Sequence, residues 1–372
     1  MAISRLVIKI GTSTLTGGAT WLSRRRLLEL AQQMVRLHDE NIEVVLVTSG
    51  AIAAGRERLG RLHRPVSKTV PVKQMLAAIG QTHLMLAWEQ VFDIFDIAVG
   101  QVLLTRADLS DRRRYLNARD SLNTMLTHQV IPIINENDAV ATDEIRVGDN
   151  DNLSALVANV LHADMLVILT DQNGLYTADP RRFPEATLVS EVPTLDDSIW
   201  ALAGAARGEL GTGGMTTKLQ AADLATRSGV IVVIANGSRP DVLVDAAHGK
   251  SVGTRFLPQM TSVEGRKRWI LAERTSGSVV VDEGAVQAVN EGKSLLPVGV
   301  RTVNDEFERG EIIAVRDLNG RDIAHGISRY GSADARRIAG RKSSDIESIL
   351  GYEYASMLIH TDDMVILYPA KV

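Results

Sequence analysis

The run Val147-Gly148-Asp149-Asn150-Asp151-Asn152 sets two aspartates and two asparagines side by side behind a glycine. Leu153, Leu156, Val157, Val160 and Leu161 follow at helical spacing, so the run reads as a loop that ends at a helix N-terminus. Asp and Asn are preferred N-caps. One cap needs one such residue, and a row of four exceeds that need. Carboxylates and amides at the positive end of a helix suit a small polar ligand or the ordering of nearby lysines. A second stretch, Gly211-Thr212-Gly213-Gly214-Met215-Thr216-Thr217-Lys218, has glycines that let backbone amides close around phosphate oxygens. Its spacing is not that of a Walker A loop, and a flexible connector is the plain alternative. Lys9 is the third signal, because a lysine inside the apolar segment Leu6–Ile10 is costly if buried without a partner. The plain alternative is a side chain that snorkels from an edge strand. Gly11-Thr12-Ser13 follows it directly, another small-residue loop able to face phosphate. Two lysines that neutralise phosphoryl oxygens, with an aspartate between them to hold both ammonium groups, make a phosphoryl-transfer site.

Such residues need a frame. Continuous apolar runs at 42–47, 130–134 and 165–169 read as strands buried on both faces, as in a parallel sheet. With 6–10, 97–104 and 230–235 they alternate with helical segments, one capped by Ser23 and a long one over 72–95. The alternation predicts a mostly parallel sheet with helices on both faces. Ligands of such sheets bind at the carboxyl ends of the strands. Gly11, Ser49, the segment Asn135–Asp138, Thr170, Asp171 and the run at 147–152 all fall there.

Composition narrows the choice of chemistry. The chain has 372 residues, enough for two domains, and a net charge of −4 that draws it to neither nucleic acid nor anionic membrane. The absence of cysteine excludes disulfides, thiolate catalysis and cysteine-bound zinc, and fits a reducing, cytoplasmic setting. No apolar run reaches the ~20 residues of a membrane helix, and no signal-peptide pattern is present. The histidines lack metal-ligand spacing, no serine-hydrolase elbow exists, and no residue is assigned to a metal. Arg24-Arg25-Arg26 and Arg112-Arg113-Arg114 read as solvated helix faces or contacts between subunits.

Beyond about residue 253 short strands separated by turns replace the alternation. Leu318-Asn319-Gly320-Arg321 predicts a two-residue hairpin with a type I′ turn. The expected organisation is a first domain over 1–258, a linker over 259–275 and a small, mostly-β domain over 276–372.

The motifs Val-Ile-Lys-Ile-Gly-Thr-Ser, Val-Thr-Ser-Gly-Ala-Ile-Ala-Ala-Gly, Ile-Asn-Glu-Asn-Asp, Val-Gly-Asp-Asn-Asp-Asn-Leu-Ser-Ala and Gly-Thr-Gly-Gly-Met-Thr-Thr-Lys together resemble the glutamate 5-kinase branch of the amino-acid kinase family. Gly-Arg-Asp-Ile-Ala-His-Gly-Ile-Ser-Arg-Tyr and Leu-Gly-Tyr-Glu-Tyr look like the PUA domain appended to many such kinases. The resemblance implies an α/β amino-acid kinase fold with a PUA-like domain. It also implies the first step of proline biosynthesis, in which ATP phosphorylates the L-glutamate side chain to L-glutamyl 5-phosphate, with Mg²⁺ accompanying ATP. Lys9, Gly11, Thr212, Gly213, Gly214, Met215, Thr216, Thr217 and Lys218 would then bind ATP, with Thr170 and Asp171 beside the nucleotide. Ser49, Asp138 and Asn150 would hold glutamate, and Asp151 would orient the catalytic Lys9 and Lys218. L-proline is the implied feedback inhibitor, and a homo-oligomer is expected. Rival readings are an acetylglutamate kinase, aspartokinase or carbamate kinase, or an RNA-binding protein. The segment 276–372 carries 15 acidic against 11 basic residues, which disfavours RNA.

Overall fold

The computed structural model describes residues 3–60, 69–141, 149–204, 214–261, 264, 267, 270–271 and 273–367. It divides into two units, one of residues 1–110 and 117–262, the other of 111–116 and 263–372.

The first unit is built on β1 (Arg5–Ile10), β2 (Glu43–Thr48), β3 (Val99–Leu104), β4 (Ile131–Glu136), β5 (Met165–Thr170), β6 (Glu191–Val192), β7 (Ile231–Asn236) and β8 (Thr254–Phe256). They form one sheet in the order β3-β4-β2-β1-β5-β7-β8-β6. All pairings are parallel except β7 with β8. The apolar runs behave as their composition dictates: every residue of β5 is buried, as are five of six in β1 and β2. β1 lies fourth of eight, with Lys9 between Val47 of β2 and Ile168 of β5. The edge-strand alternative for Lys9 therefore falls. The antiparallel β8 and the two-residue β6 were not expected; both are too short to show a period.

The helices are α1 (Thr12–Thr16), α2 (Arg24–Asp39), α3 (Ala51–Gly60), α4 (Val70–Phe92), α5 (Arg106–Ser110), α6 (Arg112–Thr127), α7 (Asp149–Val160), α8 (Asp197–Leu202), α9 (Met215–Thr226) and α10 (Val242–Ala247). Ser23 caps α2 by accepting from the Arg26 amide, as expected. The acidic run is not a loop: α7 starts at Asp149, so Asn150 and Asp151 lie in its first turn. α3 and α4 cross at glycines. A Cβ on Gly80 would stand 1.7 Å from the Ala51 carbonyl oxygen, and one on Gly55 2.0 Å from that of Leu76.

In the second unit β9 (Gly277–Val281), β10 (Val300–Asn304), β11 (Ile312–Arg316), β12 (Asp322–Ile327) and β13 (Met364–Ile366) form a sheet in the order β10-β9-β11-β12-β13. The hairpin between β11 and β12 exists, but its turn is not type I′. Gly320 has φ +79° while Asn319 stays outside the positive region. The Gly320 amide donates to the Asp317 carbonyl, and Asp317 Oδ1 accepts from the amides of Asn319 and Arg321. A tight turn stapled by an aspartate, with glycine alone left-handed, replaces the two-residue loop. Among the described residues no helix is long and apolar enough to cross a membrane.

Gly80→Ala tests the crossing. Helix propensity alone predicts a gain of about 1 kcal/mol. Overpacking against fixed backbone costs typically ~1–3 kcal/mol and should win. Urea unfolding should show a net loss; a net gain would mean the helices are free to separate.

Candidate active site

A cavity of about 1250 Å³ lies in the first unit, where the carboxyl ends of the central strands give way to loops. Lys9, Gly11, Ser49, Asn135, Asp138, Asn150, Asp151, Thr170, Gly214, Thr217 and Lys218 all line it. The parallel sheet explains the convergence, since β1, β2, β4 and β5 all end on one rim.

Asp151 is the centre. It is fully buried, and Lys9 is only 5% exposed. The Lys9 ammonium lies 2.5 Å from Asp151 Oδ1, and that of Lys218 lies 3.2 Å from Oδ2. The Thr217 hydroxyl donates to Oδ2 at 2.8 Å, and Lys218 also donates to the Gly214 carbonyl at 3.3 Å. The first turn of α7 is a favourable place for the carboxylate, because the helix dipole is positive there. Gly214 precedes α9 with φ +79° and ψ −146°, a conformation almost restricted to glycine. It lets the chain enter α9 so that Thr217 and Lys218 face Asp151.

The charges respond to this packing. Burial is the largest influence on Lys9 and brings its ammonium below the ordinary 10.5, against the pull of Asp151; Lys218 adds to the drop. Burial alone would raise the Asp151 carboxyl. Lys9, Lys218 and the Thr217 bond outweigh it and hold the group below 3.8.

A chain of amides forms the opposite wall. Asn135 donates to Gln81 Oε1 at 2.8 Å, and the Asn150 amide nitrogen lies 2.9 Å from Ser49 Oγ, 3.0 Å from Asn135 Oδ1 and 3.1 Å from the Thr48 carbonyl. Asn150 Oδ1 is buried and accepts no hydrogen bond among the described residues. It is a buried acceptor left without a protein donor among them.

The remaining residues are less central. Asp171 is exposed and accepts from the Thr170 hydroxyl at 3.1 Å; it does not line the cavity, nor do Met215 and Thr216. Thr212 and Gly213 lie outside the described residues. Sequence reasoning passed over Gln81, which anchors the amide chain from inside α4. It also passed over Arg56 and Lys73, which line the cavity. Lys73 had a readable signal: a lysine in the first turn of a helix opposes the dipole.

Comparison with known proteins bears on this arrangement. The model of the amino acid kinase family matches residues 4–236, and that of the PUA domain matches 277–350. The chain belongs to the amino acid kinase family. It is 55% identical to the glutamate 5-kinase of Cronobacter sakazakii over 361 residues, covering 97% of this chain and 98% of that one. The glutamate 5-kinase of Serratia marcescens is also 55% identical, over 362 residues, with the same coverage. Among solved structures, the carbamate kinase of Giardia lamblia bound to AMP-PNP superposes with a TM-score of 0.51 at 21% identity. It covers 69% of this chain and 99% of its own length, which supports the kinase fold alone. The PUA match covers β9 to β12 of the five-stranded sheet and ends before β13.

Asp151→Asn removes the only carboxylate between two ammonium groups. Breaking a buried pair in this way should cost ~3–5 kcal/mol at pH 7. A carboxyl lowered in the folded state stabilises above its unfolded pKa, and that contribution disappears as pH falls through the lower folded value. The gap between wild type and Asp151→Asn in urea should therefore close as pH drops from about 4. A gap that stays constant down to pH 3 would contradict the charge assignment.

Proposed function

We infer that this chain transfers the terminal phosphoryl group of ATP to the side-chain carboxylate of L-glutamate, giving L-glutamyl 5-phosphate and ADP and starting proline biosynthesis. The observation that carries this reading is the convergence of Lys9 and Lys218, from separate elements, on the single buried Asp151. The near full-length identity to glutamate 5-kinases supports the substrate.

The chemistry suits these residues. A glutamate side chain, pKa ~4.3, is ionised near neutral pH and needs no general base. Its oxygen attacks the terminal phosphorus while the bond to the bridging oxygen of ADP breaks. The barrier is an anion approaching a polyanion. Two lysines around one aspartate leave one net positive charge, placed to meet the charge on the transferring group. Gly11, Thr170, Asp171 and the segment Thr212–Lys218 are assigned to the nucleotide. Ser49, Asp138 and Asn150 are assigned to glutamate, whose ammonium group fits the carboxylate of Asp138. Magnesium fits as a companion of the nucleotide. Among the described residues no three acidic or histidine side chains cluster to cage a metal, and Mg²⁺ commonly takes most of its protein-site ligands from substrate phosphates and water. When bound it supplies charge neutralisation between the phosphates. L-Proline shares the α-carboxylate and cationic amine of glutamate but lacks the reacting carboxylate, so we assign it the same pocket as an inhibitor. A cytoplasmic homo-oligomer completes the proposal, checked by cell fractionation and by mass in solution.

ADP release should be fastest with L-glutamate and slow with L-aspartate, N-acetyl-L-glutamate and carbamate. A preference for any of the latter three would select a rival kinase reading. Lys218→Ala should lose ~10²–10³ in kcat, and normal turnover by the folded variant would remove its role. Added proline should raise the apparent KM for glutamate more than that for ATP. Inhibition that no glutamate concentration relieves would place proline elsewhere.

A further inference from the structure

With the catalytic cluster set aside, the described lining of the cavity carries three carboxylates, Glu57, Glu136 and Asp138, and two cations. Arg56 of α3 and Lys73 of α4 both line it. Neither side chain makes a hydrogen bond or ion pair among the described residues. Lys73 is half-buried, and it stands in the first turn of α4, which carries no acidic residue to offset the dipole. Ala51 meets Gly80 and Gly55 meets Leu76, so the two helices run antiparallel. Glu57, next to Arg56, accepts from the Leu22 backbone amide at 3.3 Å. Among the described residues the Arg56 and Lys73 side chains have no counter-charge at ion-pair distance, which leaves both to meet an anion.

The position of this cluster indicates which anion. α3 begins directly after Ser49 and Gly50, and Ser49 is hydrogen-bonded to Asn150, which reaches Asn135. Resting on the glutamate reading above, the side-chain carboxylate must reach Lys9 and Lys218, and the ammonium has Asp138. The α-carboxylate is the group left without a cation. We propose that Lys73, backed by Arg56, binds the α-carboxylate of the amino-acid substrate and so selects glutamate over acceptors that lack that charge.

The test uses the full chain and two acceptors that keep the reacting carboxylate. L-Isoglutamine replaces the α-carboxylate by an amide, and 4-aminobutyrate lacks it. Wild type should favour glutamate over both in kcat/KM. In Lys73→Met the value for glutamate should fall roughly 10–100-fold, the scale of a lost charged hydrogen bond. The loss should fall on the KM for glutamate and not on the KM for ATP. The values for isoglutamine and 4-aminobutyrate should hold, so the discrimination collapses, and Lys73→Arg should restore most of it. Arg56→Gln should shift the same ratio less. If Lys73→Met does not melt cooperatively, Lys73→Gln replaces it in the same comparison. Unchanged discrimination in a folded variant overturns the proposal, as does a wild type indifferent to the α-carboxylate. A wild type that phosphorylates neither glutamate nor these analogues overturns the functional reading itself, and the assignment of Lys73 with it.

Discussion

A charged lysine in the middle of a parallel sheet must be given a counter-charge, and that need organises the first unit. Lys9 lies on β1 between two fully apolar neighbours, where an unpaired ammonium would cost several kcal/mol. Asp151 answers it from the first turn of α7, and the helix dipole favours a carboxylate at that point. The same aspartate then holds Lys218 from α9. One carboxylate shared by two lysines leaves the cluster with a single positive charge facing the cavity. This arrangement is a poor way to stabilise a fold and a good way to receive a phosphoryl group.

The other wall is neutral. Gln81, Asn135, Asn150 and Ser49 form a hydrogen-bonded series that ties α4, β4, α7 and the end of β2 together. Each amide is oriented by its neighbour, so the wall is held in place before a ligand arrives. The glycine crossing of α3 and α4 fixes the third side. The cavity thus has a cationic point for transfer built from β1, α7 and α9, an amide wall built from β2, β4, α4 and α7, and an edge at α3 and α4 that carries Arg56, Glu57 and Lys73.

Much of this frame is legible in the sequence. The runs Leu6–Ile10 and Met165–Leu169 are apolar without alternation, and only a strand buried on both faces has that pattern. The rim then follows from topology. Lys9, Asp151 and Lys218 stood out because each breaks the expectation of its surroundings. What could not be read depended on partners distant in the chain. Asn135 meets Gln81 across 54 residues, and nothing local to either reveals it. β6 and β8 are two and three residues long and exist only by pairing. The start of α7 shifted because Asn and Asp are tolerated inside a first turn as well as at a cap. The hairpin turn changed type because Asp317, not the Asn-Gly pair, supplies the acceptor that closes it.

The central claim is that the buried charges exist for transfer and not for stability. Lys9→Met, Asp151→Leu and Lys218→Met combined test it most directly, since all three charges leave together and apolar side chains of similar size replace them. Such replacements are often neutral or stabilising by ~1–4 kcal/mol. The triple variant should unfold in urea at or above the wild-type midpoint, while ADP release with glutamate falls by at least ~10³-fold. A loss of several kcal/mol in stability, or turnover near that of wild type, would contradict the account.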